Sequence, residues 1–192
     1  MMSEADFNYS EKSNVFRISA AVTLGILFCA VSVYAGYLYG SRFDPSGFSV
    51  SAISGVREFL LWYFNEIKLF CAVFLSGFTI FAPAVSAAVM LWRSAEFGCA
   101  LFIYLSQIKG EVIVYDSAAF VSLTVSAASL VLLLIMSLAS ILHARTLRYA
   151  IPDTASVLSY PETRGFISAF FTVSSVLLLI ILIRTFSVPL LL

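Results

Sequence analysis

The chain has 192 residues, of which 61% are hydrophobic and 11% are charged, whereas a soluble domain has about 45–50% and 25%. So few charged residues cannot cover a surface that faces water, which excludes a soluble globular domain. Acidic and basic residues number 11 each, so no long-range field attracts nucleic acid. The composition therefore predicts a single integral membrane domain over residues 1–192.

The first predicted membrane span covers residues 18–39. It lies within an uncharged run of 24 residues, 18–41, and a helix needs about 20 apolar residues to cross roughly 30 Å of hydrocarbon. Val33-Tyr34-Ala35 before Gly36 has the small-residue pattern of a signal-peptide cleavage site. The apolar run is longer than the core of a signal peptide, which favours an uncleaved membrane anchor.

The middle of the chain allows two interpretations. In the first, residues 59–82 and 84–105 form two spans hinged at Pro83. This interpretation leaves Arg93 and Glu96 near the middle of the membrane. A central Arg costs about 2.5–3.5 kcal/mol on insertion scales, and a Glu three residues later on the same helical face offsets part of that cost.

The second interpretation takes the uncharged run 69–92 as one Pro-kinked span. Residues 97–108 are then too short to cross, and they form a half-crossing or re-entrant segment. The proline predicts a helix end at residue 83, whereas the uncharged run predicts a helix that continues to residue 92. The sequence leaves both interpretations open.

The last two predicted spans, 118–142 and 166–184, are plainer. The first lies within an uncharged run of 28 residues, 117–144, and the second covers most of an uncharged run of 19 residues, 165–183. Arg184 follows the second run, and its long side chain is expected to reach a lipid headgroup. Together the runs predict an all-α, polytopic transmembrane helical bundle of about five membrane segments, one of them kinked or re-entrant in the second interpretation.

Basic residues in short loops predict the orientation. The connector 143–164 carries Arg145, Arg148 and Arg164, which form the densest basic cluster in the chain, so it is expected on the cytoplasmic side of the cell membrane. Five spans put the N-terminus inside and the C-terminus outside, whereas four spans put both termini outside. The connector is cytoplasmic in either arrangement.

Cysteine and histidine give no indication of chemistry. Cys29, Cys71 and Cys99 lie in or beside apolar runs without the spacing of metal ligands, so we expect them to pack as small hydrophobic residues. His143 is the only histidine, and beside Arg145 it is expected to be an interfacial residue. No metal site or disulfide is predicted.

The carboxylates do not form a catalytic pattern either. Glu58 with Glu66, and Glu111 with Asp116, lie beside polar connectors and are expected on the solvated surface. The chain has no glycine-rich phosphate loop and no nucleotide-binding signature. We therefore expect no cofactor and no enzymatic activity.

Small residues recur four positions apart in three predicted spans. Lipid gives helices no hydrophobic drive to associate, so small residues favour helix contacts by allowing close approach. The pattern predicts either packing within the chain or a face for another membrane protein, and the sequence leaves both open. The residues are Ser32, Gly36 and Gly40; Ser94 and Gly98; and Ala118, Ser122 and Ser126.

Arg93 and Glu96 are the candidate intramembrane charge pair. Charged residues inside membrane spans usually belong to a transport pathway or a site that pairs with a partner. The alternative is that the two residues lie in an ordinary turn at the membrane surface. The sequence does not decide between these positions.

Short motifs around Asn65, Gly77 and Pro83, in the middle of the chain, resemble those of the stage II sporulation protein M family. Its motif residues here are Asn65, Gly77 and Pro83, within a pattern in which an apolar helix opens after an Asn, passes a small-Gly break and continues through a hinge into a basic, Gly-bearing helix. Many members also carry a Pro after that helix, where this chain has Asp116-Ser117-Ala118. The matching residues are Phe64-Asn65-Glu66-Ile67-Lys68, Ser76-Gly77, Pro83, Arg93 and Gly98.

This resemblance implies a non-enzymatic membrane scaffold of endospore-forming bacteria. Such a scaffold holds peptidoglycan hydrolases at the septal membrane during engulfment of the forespore. Its expected partners are membrane lipids and other membrane proteins, in particular the membrane-anchored sporulation proteins D and P. The alternative function is a small membrane transporter, or the substrate-binding membrane subunit of one.

Overall fold

The computed structural model describes residues 23–42, 56–108, 117–150 and 161–187. These ranges contain no strand, and their five helices are all long and apolar enough to cross a membrane. The predicted all-α, polytopic membrane fold is therefore confirmed, with five candidate spans. The helices are α1 (Thr23–Gly40), α2 (Val56–Ser76), α3 (Ala82–Ile108), α4 (Ser117–Ala150) and α5 (Pro161–Ser187).

A tight turn over residues 77–81 separates α2 from α3. The backbone N–H groups of Gly77, Phe78 and Thr79 each donate to the carbonyl three residues earlier, at 2.8–3.2 Å, and this closes the end of α2. Pro83 lies in the first turn of α3. A proline is favoured there because the first N–H groups of a helix have no intrahelical partner.

The single Pro-kinked span over 69–92 is therefore wrong, since the break precedes the proline and leaves two separate helices. Residues 97–108 continue α3 and do not form a re-entrant segment. The hinge itself is the turn 77–81, not Pro83. Helix α2 consequently ends six residues earlier than the predicted span 59–82.

Helices α2 and α4 form the centre of the bundle. Each packs against the other, against α3 and against α5. A side chain added at Gly77 would lie 2.6 Å from Phe166 Cζ and 3.0 Å from Ser140 Oγ, so the end of α2, the late part of α4 and the start of α5 meet on one side of the membrane. We call this the turn side. The core contains Phe70, Val73, Met90, Leu133, Met136, Phe166, Val173, Leu177 and Ile181.

Helices α4 and α5 extend beyond the predicted spans 118–142 and 166–184. Hydropathy marks the apolar part of a helix, but α4 continues through the exposed Arg145 and Arg148. The predicted connector 143–164 is thus helical at both ends. Residues 151–160, and the predicted start of the first span at residue 18, lie outside the described residues.

Candidate functional site

An ion pair joins α2 to α3 in the middle of the bundle. Arg93 donates to Glu66 Oε1 at 2.5 Å and to Glu96 Oε2 at 2.8 Å. Only 12% of the Arg93 side chain and 8% of the Glu66 side chain are exposed. Ser129 of α4 donates to the second Glu66 oxygen at 2.7 Å, so three helices meet at this carboxylate. Both charges are therefore buried and compensated within the bundle.

Arg184 extends this network to α5. Its guanidinium lies 3.7 Å from the centre of the Trp62 ring of α2 and donates to Ser122 Oγ of α4 at 3.0 Å. The residue is 5% exposed. A cation over an aromatic face is attracted by the ring quadrupole, and more strongly when it is removed from water.

We call Glu66, Arg93, Glu96 and Arg184 the charge network. Its two carboxylates and two guanidinium groups balance, so the cluster adds no net charge to the membrane interior. Each charge alone costs about 2.5–3.5 kcal/mol at the centre of a span on insertion scales. Removing one member of a buried pair costs more, about 3–5 kcal/mol, because the other charge stays uncompensated. The network therefore constrains how α2, α3, α4 and α5 associate.

The local sequence of α3 explains how Glu96 is held. Arg93 and Glu96 are three residues apart and thus neighbours on one helical face. Trp92, four residues before Glu96, donates its ring N–H to Glu96 Oε1 at 2.8 Å. The Glu96 side chain is 43% exposed, in contrast to Arg93. The predicted pair consequently lies within α3, with Arg93 facing the bundle and Glu96 at its periphery.

The sequence prediction for Glu66 is wrong: the residue is buried, not solvated, because Arg93 and Ser129 satisfy both of its oxygens. Arg184 is buried against Trp62 and Ser122, three residues before the end of α5. Its contact with a lipid headgroup stays a prediction.

His143 is a buried residue within α4, which continues for seven residues beyond it. Its ring stacks on Phe166 with centroids 4.4 Å apart and meets Phe78 edge-on at 5.2 Å. The histidine therefore belongs to an aromatic cluster on the turn side, where α2, α4 and α5 meet. This packing buries the imidazole although exposed arginines follow it in the sequence.

Glycines bring α1 and α3 into contact. A Cβ atom added at Gly36 would lie 2.0 Å from the Ala95 carbonyl oxygen, and one added at Gly98 would lie 2.0 Å from the Val33 carbonyl oxygen. Gly40 faces Phe102 of α3, with its added Cβ at 3.2 Å from the Phe102 Cβ. No other residue type fits at the first two positions without moving the backbones apart.

Polar bonds accompany this crossing. Ser32 donates to the Leu91 carbonyl at 2.7 Å, and the Cys99 thiol donates to the Gly36 carbonyl at 3.0 Å. Ser94 is fully buried on α3, one turn before Gly98. The small residues of the first and third spans thus serve packing within the chain. In the fourth span, Ser122 binds Arg184, and the side chain of Ala118 lies outside the described part of the structure.

The family-motif residues are spread over α2 and the turn that follows it. Asn65 is exposed and accepts a hydrogen bond from Lys68 Nζ at 2.9 Å. Gly77 packs the end of α2 against α4 and α5, and Pro83 is an exposed residue in the first turn of α3. The structure does not bring these three residues together into one site.

Metal-binding and disulfide chemistry can be assessed only for the described ranges. There, no group of three or more His, Cys, Asp and Glu residues is arranged to hold a metal ion. Cys29, Cys71 and Cys99 are free thiols and half-buried.

The fold and the charge network define a multi-pass helical membrane protein in which a buried ion pair joins α2 to α3. No protein-family model, curated protein or solved structure matches the chain. The resemblance to the stage II sporulation protein M family accordingly stays a prediction.

Proposed function

We propose that the chain is a non-enzymatic integral membrane scaffold that binds other membrane proteins. The observation that carries this proposal is the outward exposure of polar side chains in the middle of two spans: Asn65 and Lys68 on α2, and Glu96 on α3. Polar residues in transmembrane helices usually face the bundle interior, a water-filled cavity or a partner. A neighbouring membrane protein would remove these groups from lipid.

The charge network supports the same role. Glu66 and Arg93 are engaged with each other and with neighbouring helices. Ion pairs and hydrogen bonds of this kind fix the relative positions of α2, α3, α4 and α5. A bundle held in this way presents its outer faces in a defined arrangement, as a scaffold requires.

The most concrete form of the proposal is the sporulation engulfment complex. It rests on the resemblance to the stage II sporulation protein M family. In this form the chain localises peptidoglycan hydrolases at the septal membrane, with the membrane-anchored sporulation proteins D and P as partners. The basic connector 143–164 lies on the cytoplasmic side of the cell membrane in this proposal, as the distribution of arginines predicts.

A transporter, or the membrane subunit of one, is the second candidate. It is favoured by the burial of Glu66 and Arg93 near the middle of their helices, because intramembrane charges often mark the path of a substrate or ion. In the scaffold proposal the same charges act only between helices. The two candidates therefore predict different partners and different effects of mutation.

Co-purification from native membranes tests the scaffold proposal. We expect the full-length protein, extracted in a mild detergent, to bring other membrane proteins with it at a constant ratio. Cell-wall hydrolases among them support the engulfment form, and an energy-coupling ATPase supports the transporter. A protein that elutes without any partner, both before and after crosslinking in intact membranes, contradicts the scaffold.

A further inference from the structure

The outer face of α2 has the spacing of a helix-packing seam. Five residues, alternately four and three positions apart, are all exposed, and this is the spacing of the apolar seam in a coiled coil. Leu61 and Leu75 at its ends are 56% and 63% exposed. We call Leu61, Asn65, Lys68, Ala72 and Leu75 the α2 outer face.

Lys68 lies near the centre of this face. It is 12 residues from the start of α2 and 8 from its end, or about 18 and 12 Å along the helix axis. A lysine side chain extends only about half the shorter distance, so Lys68 does not reach the headgroups by extension alone. A charge at this position of a membrane span is costly unless a partner group compensates it.

The charge of Lys68 is not balanced within the described residues. The charge network is neutral by itself, and the bond that the structure shows for the Lys68 ammonium goes to the neutral amide oxygen of Asn65. A lysine ammonium has three donors, and the Asn65 amide retains two. The α2 outer face thus presents a positive charge and free donors to whatever packs on it.

We infer that the α2 outer face binds a transmembrane helix of another membrane protein that carries an Asp or Glu near its middle. The carboxylate accepts hydrogen bonds from Lys68 and Asn65, and Ala72 lets the two backbones approach closely. This inference rests on the proposed scaffold function and specifies its partner. The charge argues against a second copy, since a symmetric contact on this face places two Lys68 ammonium groups opposite each other.

Binding of synthetic transmembrane peptides to the full-length protein in nanodiscs tests this inference. The probes are three fluorescent 21-residue Leu/Ala peptides that differ only at the central residue, which is Asp, Leu or Lys. We expect the Asp peptide to bind at least tenfold more tightly than the other two. Lys68→Leu should abolish this preference, whereas Lys68→Arg, which keeps the charge, should retain most of it.

A matched control variant is Thr172→Leu. Thr172 is exposed near the middle of α5 and bonds to the Ser168 carbonyl of its own helix, so its replacement also converts an exposed polar residue to leucine. The preference for the Asp peptide should be unchanged in this variant. Its loss would show that any change in surface polarity affects binding, which overturns the assignment to the α2 outer face.

Equal binding of the three peptides would overturn the inference, and so would an unchanged preference for the Asp peptide in Lys68→Leu. A third contradicting result is that the protein binds none of the peptides but associates with itself in a way that requires Lys68. The peptide measurement is independent of the co-purification described above. If partners co-purify with both wild type and Lys68→Leu, the scaffold stands and the assignment of this face fails. If the peptides bind as expected but no natural partner is found, the scaffold proposal fails alone.

Discussion

The Arg93→Ala variant is expected to lose about 3–5 kcal/mol of unfolding free energy, the cost of breaking a buried ion pair. The reason is that Arg93 bonds two carboxylates, Glu66 and Glu96. Its removal leaves both without this counter-charge at membrane depth. Unfolding of the purified protein in bicelles measures this loss, and steady-state abundance in the membrane should fall with it.

Two further variants separate charge pairing from a general loss of packing. Glu66→Gln keeps an acceptor for Ser129 and leaves Arg93 bonded to Glu96, so its effect should be smaller than that of Arg93→Ala. Arg145→Ala removes an exposed arginine from α4 and should leave stability unchanged within about 0.5 kcal/mol. If Arg93→Ala behaves like Arg145→Ala, the charge network does not hold the bundle together.

The Gly98→Ala variant is expected to lower the unfolding free energy by about 1–3 kcal/mol and to separate α1 from α3. The added methyl group would lie 2.0 Å from the Val33 carbonyl oxygen and 2.9 Å from the Tyr37 nitrogen, and both are backbone atoms that move only with the helix. Cys99 reports the separation, because its thiol bonds to the Gly36 carbonyl at 3.0 Å. Its reaction with a membrane-permeant maleimide should accelerate.

Gly25→Ala is the matched control for this variant. Nothing lies within 4 Å of a Cβ atom added at Gly25, which is on α1, the helix that crosses α3. Alanine also has the higher helix propensity, so this change should be neutral or slightly stabilising. Equal stability and equal Cys99 reactivity in both alanine variants would disprove the close crossing of α1 and α3.

The fold follows largely from the apolar runs. Five spans were predictable because lipid requires every backbone polar group to be bonded within a helix, so a long uncharged run has few alternatives. The ends of α4 and α5 were not predictable, since a helix can continue into polar surroundings. The sequence predicts Pro83 as the hinge between α2 and α3, whereas α2 ends at Ser76, before Gly77.

The site was only partly predictable. Arg93 and Glu96 are three residues apart, so their pairing follows from helical spacing. Glu66 is 27 residues from Arg93, and Ser122 is 62 residues from Arg184. Such contacts depend on how the helices associate, which the sequence of one helix does not reveal. Glu66 lies between the polar residues Asn65 and Lys68, which are exposed, so its neighbours in the sequence give no signal of its burial.

The most direct test of the five-span arrangement, and of the burial of its central residues, is cysteine accessibility in oriented membrane vesicles. Single cysteines replace Ser41, Thr79, Ser129 and Arg148 in a background without Cys29, Cys71 and Cys99, and a membrane-impermeant maleimide is added from one side. Thr79→Cys and Arg148→Cys should react from the same side, Ser41→Cys only from the other, and Ser129→Cys from neither until the membrane is dissolved. Reaction of Ser129→Cys in intact vesicles, or of Thr79→Cys and Arg148→Cys from opposite sides, would contradict the arrangement.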